Sequence, residues 1–148
     1  MTDVVDTKPD AEIDSDYDLY AASFRREAGE LCHWILWVRL DEMNGVTIEA
    51  DGWNGNWVTR AIGHHAPYQS AAILEFEIIG SIPVADWPAF RDNIPIKFPP
   101  DNRSEAWNCQ SFIKTVVRDM DKRGWIDDGL RAELENGSLL HKISPELV

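Results

Sequence analysis

The sequence is poor in several features that would narrow its class. Only two of its 148 residues are cysteines, and they do not form a close-spaced pair. A disulfide framework and a cysteine-rich metal site are therefore not predicted, although a single bridge between Cys32 and Cys109 remains open. No apolar run reaches the length of a transmembrane helix, and the acidic N-terminal segment lacks the apolar stretch of a secretory signal. We therefore expect a soluble protein of the reducing cytoplasm.

Positive charge is also scarce. The chain has 14 Lys and Arg against 26 Asp and Glu, a formal net charge of −12. Residues 1–18 hold seven of the acidic side chains and a single lysine, which predicts an acidic, disordered tail. The remainder, residues 19–148, is long enough and apolar enough for one compact domain. This charge balance argues against nucleic acid and against anionic membrane surfaces as partners.

A β-hairpin is the clearest structural prediction. Residues 31–40 alternate as a buried strand, which places His33 and Trp37 on one face. The turn residues that follow end in Asn44-Gly45, and residues 46–51 then form the returning strand. Glu49 and Asp51 share one face of that strand.

Strand patterns come early in the chain and helix patterns come late, which predicts an α+β class. Residues 18–30 fit either a helix or a strand, and residues 52–69 have the composition of a functional loop with some strand character at 57–60. The other predicted elements are a strand at 71–80 and helices at 83–93, from about 106 to Gly124, and at 127–136.

Cys109 lies near the start of the second of these helices, at about 106 to Gly124. Apolar residues recur at helical spacing after it, and Asp101, Asn102 and Ser104 are candidate N-caps upstream, with Glu105 in the first turn. The positive end of the helix dipole stabilises a thiolate, the nucleophilic form of cysteine.

A cysteine at a helix N-terminus that faces a histidine on a strand is the dyad of papain-type enzymes. His33 is the candidate base. The alternative is that both residues are structural, with Cys109 as a small buried side chain on the apolar stripe of its helix and His33 as a core histidine.

Two segments resemble a known family. The strand His33–Val38, followed by a hairpin and then by Asn108–Phe112, resembles the circularly permuted papain-like cysteine hydrolases. The most similar pattern is that of the lecithin-retinol acyltransferase-like group, in which a His-Trp strand precedes an Asn-Cys helix. Cysteine-dependent deubiquitinase and deSUMOylase-like proteins share the order. The chain also resembles small fungal proteins that have a strand histidine, a Tyr-x-Ser segment (here 68–70) and a late cysteine helix.

The resemblance implies a papain-like domain with an antiparallel sheet and the cysteine-bearing helix packed on it. It implies Cys109 as the nucleophile and His33 as the general base. The third polar residue of the family falls on the returning strand of the hairpin, where this chain has Glu49, with Asp51 on the same face. Either carboxylate can hold an imidazolium in place.

Such a mechanism needs an oxyanion hole and an acyl pocket. The backbone N–H of Cys109 is the natural first donor, because amides at a helix N-terminus are unpaired. A second donor comes either from a neighbouring side chain such as Gln110 or from the loop at 52–69. Candidate lining residues of the pocket are Asn108 and the tryptophans Trp34, Trp37, Trp53, Trp57 and Trp107.

We therefore expect a soluble hydrolase or acyltransferase that acts on an amide, ester or thioester of a small-molecule acyl or amide substrate. No cofactor or metal is predicted, since His64-His65 has no further ligands at the spacing of a metal site. One alternative is an isopeptidase for ubiquitin-like tails. The other is a catalytically silent papain-like domain that binds a small molecule or protein in a tryptophan-lined cleft.

Overall fold

The computed structural model describes residues 16–146, apart from the side chains of His64 and His65. Five antiparallel strands form one sheet in the order β4-β3-β2-β1-β5, so the predicted α+β class is confirmed. The strands are β1 (Asp16–Phe24), β2 (His33–Arg39), β3 (Asn44–Asp51), β4 (Val58–His65) and β5 (Ile73–Pro83). The helices are α1 (Trp87–Asp92), α2 (Ile94–Lys97), α3 (Cys109–Lys122) and α4 (Leu130–Asn136), and a 3₁₀ turn spans Pro67–Gln69.

Helix α3 packs on one face of the sheet, against β2 and β3. Trp34 and Leu36 of β2 and Ile48 of β3 are buried in the same core cluster as Phe112 and Val116 of α3. A buried side chain of this size contributes roughly 1.5–3 kcal/mol through the hydrophobic effect. This contact fixes the start of α3 near the start of β2. The predicted alternation of residues 31–40 is confirmed, because His33 and Ile35 border a cavity on the opposite face.

Strands β2 and β3 are paired over only part of their length. The ladder runs from Leu36 opposite Ile48 to Arg39 opposite Gly45, next to the turn. His33 and Glu49 lie beyond its last pair. The two strands therefore separate at the end where the candidate site lies, and side chains rather than ladder bonds connect them there.

Two predicted boundaries were wrong. Residues 16–18 were assigned to the acidic tail but form the start of β1, where all three pair with β5 and Asp18 also pairs with β2. The rest of the predicted tail, residues 1–15, lies outside the described residues. Part of the predicted loop at 52–69 is strand β4, which pairs with β3 over all eight residues. Ladder hydrogen bonds to β3 stabilise this strand, and its Gly- and His-containing composition does not reveal them.

The N-cap of α3 also differs from the prediction. The helix begins at Cys109, and its cap is Asn108 rather than Asp101, Asn102 or Ser104. The Oδ1 atom of Asn108 accepts the amides of Gln110 (2.9 Å) and Ser111 (3.2 Å), and the Ser111 hydroxyl accepts the Asn108 amide (3.1 Å). This reciprocal capping box places Cys109 in the first helical position.

The remaining predicted elements are present with shifted bounds. The strand predicted at 71–80 is β5, and the helix predicted at 83–93 corresponds to α1, with the short α2 directly after it. Gly137 ends α4 in the left-handed conformation, as is typical of a helix C-terminus. Within residues 16–146, no helix has the length and apolar composition needed to span a bilayer.

Candidate active site

His33 and Glu49 form a buried pair at the open end of the β2–β3 hairpin. The Nε2 atom of His33 lies 2.8 Å from Oε1 of Glu49, and the two side chains are only 14% and 10% exposed. Asp51, the other candidate carboxylate, is exposed and its recorded ion pair is with Arg60 at 3.4 Å. The structure therefore selects Glu49 as the carboxylate that orients His33.

Arg60 holds the other side of the Glu49 carboxylate. Its Nε and Nη2 atoms donate to Oε2 at 2.9 and 2.6 Å, because Arg60 of β4 lies directly opposite Glu49 in the ladder. Burial alone would raise the pKa of Glu49, but hydrogen bonds from His33 and Arg60 outweigh burial and hold it below its usual range. Arg60 is not among the site residues predicted from the sequence. Arg60 could be identified only by predicting that β4 pairs with β3, because a strand in that place must put one residue opposite Glu49.

The thiol of Cys109 lies beside the His33 ring. It donates to the backbone carbonyl of Cys32 at 3.6 Å, one residue before His33. The ring nitrogen that Glu49 does not contact, Nδ1, is buried and has no hydrogen-bond partner of ordinary geometry in the described part of the chain. Burial alone would lower the pKa of His33, yet the adjacent Cys109 thiol and Glu49 carboxylate raise it to about 9. The imidazole is therefore protonated at neutral pH.

The backbone around Cys109 leaves one amide available. Asn108 accepts hydrogen bonds from the N–H groups of Gln110 and Ser111, and the N–H of Cys109 has no hydrogen-bond partner within residues 16–146. Amides in the first turn of a helix point along the dipole toward the N-terminus, where negative charge is stabilised. The Cys109 amide, which the sequence predicts as the first oxyanion donor, is therefore unpaired among the described residues.

Gln110 is one of the two sources that the sequence offers for a second oxyanion donor. Its Nε2 atom donates to the carbonyls of Cys32 and Lys142, both at 2.9 Å, and the side chain is buried. Both amide protons are therefore in use. Through these two hydrogen bonds Gln110 connects the start of α3 to the residue before β2 and to the C-terminal segment. Asn108 caps the helix and lines neither of the two cavities that adjoin the site.

Two cavities border the site. One, of about 460 Å³, lies on the sheet face opposite α3, with His33, Glu49 and Arg60 in its wall beside apolar side chains. The other, of about 330 Å³, is bordered by Cys109 and by the loop that contains Trp53 and Trp57. Cavities of this size suit small organic ligands.

Only part of the predicted tryptophan set lines these cavities. Trp53 and Trp57 border the Cys109 cavity. Trp37 does not, because it lies four residues along β2 from His33, roughly 13 Å away, where it packs on Tyr20. Trp107 packs edge-on against Trp57 with ring centroids 6.1 Å apart and does not reach the cavity. Trp34 is core, and its indole N–H donates to the His141 carbonyl at 2.8 Å.

Cys32, His64 and His65 do not belong to the group formed by Cys109, His33 and Glu49. Cys32 is fully buried, its sulfur lies 3.5 Å from the Ser144 hydroxyl, and both cysteines are free, so the possible disulfide bridge is not formed. His64 and His65 end β4 rather than lying in a loop, and their side chains are outside the described part of the structure. Among the described residues, no three His, Cys, Asp or Glu side chains are grouped as a metal ion would require.

The pKa of His33 predicts a pH-dependent stability. Because it rises from 6.5 to about 9 on folding, the protonated ring favours the folded state. The contribution, on the order of 3 kcal/mol, is fully present below pH 6.5 and is lost as the pH rises through 9. Urea unfolding at pH 6 and pH 9.5 should therefore show a larger loss of unfolding free energy in the wild type than in His33→Gln. Equal losses in the two proteins would contradict the assignment.

Comparison with known proteins does not assign a function. No protein-family model, curated protein or solved structure matches this chain. The function therefore has to be argued from the geometry around Cys109, His33 and Glu49.

Proposed function

We propose that this chain is a cysteine-dependent hydrolase or acyltransferase of papain-like architecture, with Cys109 as nucleophile. The observation that carries the proposal is the arrangement around His33. Its Nε2 is bound to a buried carboxylate, and its other edge adjoins a thiol at the N-terminus of a 14-residue helix. The dyad, its orienting group and an unpaired amide are the parts that acyl transfer through a thioester requires.

The steps follow from the positions of these groups. The Cys109 thiolate attacks the substrate carbonyl carbon, and the electron pair of the C=O bond moves to oxygen. As the tetrahedral intermediate collapses, His33 gives its proton to the departing amine or alcohol, and the acyl group remains on sulfur as a thioester. Water or an acceptor amine or alcohol then attacks the thioester while His33 takes its proton, and the sulfur leaves as the Cys109 thiolate beside the protonated ring. Glu49 stabilises the imidazolium in both halves of the cycle.

The substrate class that fits is a small ester, amide or thioester. Cys109 is only 2% exposed, and a cavity of about 330 Å³ borders it. An isopeptidase for ubiquitin-like tails needs an open groove that admits an extended Gly-Gly strand. The burial of the Cys109 side chain favours a compact acyl group instead.

The same burial favours a second candidate, a catalytically silent domain that binds a small molecule in the cavity beside Trp53 and Trp57. Trp53 is 68% exposed at the edge of this cavity, a position from which an aromatic ring can cover a ligand. In this case Cys109 contributes packing and no covalent step.

Covalent trapping separates the two candidates. The full chain is mixed with p-nitrophenyl acetate, and p-nitrophenolate release is followed in the first seconds. If the chain is a cysteine-dependent enzyme, we expect a burst of about one equivalent of p-nitrophenolate. We also expect a single acetyl group on Cys109 that neutral hydroxylamine removes. The absence of both a burst and an acetylated Cys109 peptide would support the silent domain.

A further inference from the structure

The proposed reaction needs the Glu49 carboxylate to keep both its charge and its position while His33 gains and loses a proton. We propose that Arg60 of β4 is the positioning residue that holds Glu49 in this state, so that the site consists of four side chains rather than three. The inference rests on the proposed function and adds a residue to which that function assigns no part.

The two oxygens of the Glu49 carboxylate are divided between two partners. Oε1 lies 2.8 Å from Nε2 of His33, whereas Oε2 accepts hydrogen bonds from both Nε (2.9 Å) and Nη2 (2.6 Å) of Arg60. Hydrogen bonds between ionised groups are shorter and stronger than neutral ones. The carboxylate therefore cannot turn away from the His33 ring without also breaking its bonds to Arg60.

The charge of Arg60 also decides which partner carries the proton. The Glu49 side chain is only 10% exposed, and burial favours the neutral acid over the carboxylate. A guanidinium group does not give up its proton in proteins, so Arg60 supplies a permanent positive charge at Oε2. Its hydrogen bond is one of the two that hold the pKa of Glu49 below its usual range. The proton is thereby kept on His33, which must deliver it to the leaving group.

The charged groups around Glu49 come from the strands on either side. Among the described residues they are His33 of β2, Arg60 of β4 and, through its 3.4 Å contact with Arg60, Asp51 of β3 itself. Helix α3 packs on the opposite face of the sheet. Arg60 is therefore the one permanent positive charge within this group of contacts.

The position of Arg60 is open to a small solute. The β3–β4 ladder places the residue directly opposite Glu49, and its side chain is 39% exposed. It borders the cavity of about 460 Å³ that His33 and Glu49 also border. If the side chain is shortened, a free guanidinium ion can enter from this cavity and occupy the place of the missing group.

Chemical rescue of Arg60→Ala tests the proposal. We expect the rate of acylation by p-nitrophenyl acetate to fall about 10–100-fold, the typical contribution of a hydrogen bond to a charged group. Guanidinium chloride at low millimolar concentration should restore much of the lost rate, because the free ion can donate to Oε2 of Glu49. Sodium chloride at the same ionic strength should not. Unchanged acylation in Arg60→Ala, or a loss that guanidinium does not restore, would overturn the proposal.

Arg118→Ala is the matched control for this rescue. Arg118 also binds a carboxylate through Nε (3.0 Å) and Nη2 (3.1 Å), but its partner is Glu135 of α4 and it borders neither cavity at the site. We expect this variant to acylate at the wild-type rate and to show no response to guanidinium. The same response in both variants would mean that guanidinium acts on the whole protein, which would contradict a role specific to Arg60.

Arg60→Met covers the case in which Arg60→Ala does not fold, because it keeps most of the side-chain length without the charge. Acylation should fall as in Arg60→Ala, and the pKa of Glu49, followed by ¹³C NMR of its carboxyl group, should rise. A rate near wild type or an unchanged pKa would overturn the inference alone. If the wild type shows no burst and no acetylated Cys109, the proposed function fails and the inference fails with it.

Discussion

Replacing Cys109 with alanine is expected to abolish ester turnover, lowering kcat/KM by at least about 10⁴-fold. The reason is chemical, because no other thiol borders either cavity at the site and the thioester cannot form without the sulfur. The background that remains should lack the initial burst. Steady-state and burst kinetics with p-nitrophenyl acetate measure both quantities.

Cys32→Ala is the matched control for this loss. Cys32 is also a buried cysteine near the start of β2, but its side chain contacts the Ser144 hydroxyl and borders neither cavity. The substitution should lower stability, since it removes a buried sulfur, while burst size per folded molecule stays near one. Turnover that survives in Cys109→Ala, or that disappears equally in Cys32→Ala, would refute the assignment of the nucleophile.

Glu49→Gln is expected to lower the acylation rate about 10³–10⁴-fold. The amide is nearly isosteric, so the shape of the site is kept, but an amide cannot stabilise the imidazolium and can select the wrong tautomer of His33. The pKa of His33 should fall from about 9 toward its ordinary value, because one of the two groups that raise it is removed. Stopped-flow acylation and NMR titration of the His33 ring test the two effects separately.

Asp51→Asn provides the comparison for Glu49→Gln. Asp51 lies on the same strand face and has an ion pair of 3.4 Å with Arg60, but it is exposed and has no recorded contact with His33. We expect acylation within about twofold of wild type, because an exposed ion pair contributes at most about 1 kcal/mol. Equal losses in the two variants would show that net charge, rather than the bond to His33, controls the rate.

The fold could be predicted where local signals were strong. Period-two alternation identified β2, and the Asn44-Gly45 turn identified the hairpin that brings Glu49 back past His33. The apolar stripe after Cys109 identified α3. The extent of β4 could not be predicted, because its backbone is stabilised by pairing with β3 rather than by its own residues.

The candidate site was predictable at the level of residue types. Cys109, His33 and a carboxylate on the returning strand were all named from the sequence, and the structure brings Cys109, His33 and Glu49 together. The choice of Glu49 over Asp51 required the register of β3, which decides which carboxylate lies within reach of the ring.

The errors concern side chains whose partners are distant in sequence. Gln110 is adjacent to Cys109, as an oxyanion donor could be, but its side-chain amide already donates to the carbonyls of Cys32 and Lys142. Asn102 is a good N-cap by type, but it binds the Trp57 backbone 45 residues away. Such hydrogen bonds form only when segments that are distant in sequence pack together, and no local sequence pattern indicates that packing.

The alkylation rate of each cysteine tests directly whether the Cys109 thiol and the His33 imidazole act as a pair. Wild type and His33→Gln are treated with iodoacetamide at several pH values from 5 to 9, and mass spectrometry follows Cys109 and Cys32 separately. Burial raises the pKa of the Cys32 thiol, so Cys32 should react slowly in both proteins. We expect Cys109 to react at pH 6.5 at least about tenfold faster in the wild type than in His33→Gln, because the protonated ring stabilises the reactive thiolate. Equal, slow reaction of Cys109 in the two proteins would mean that the thiol and the imidazole do not act together.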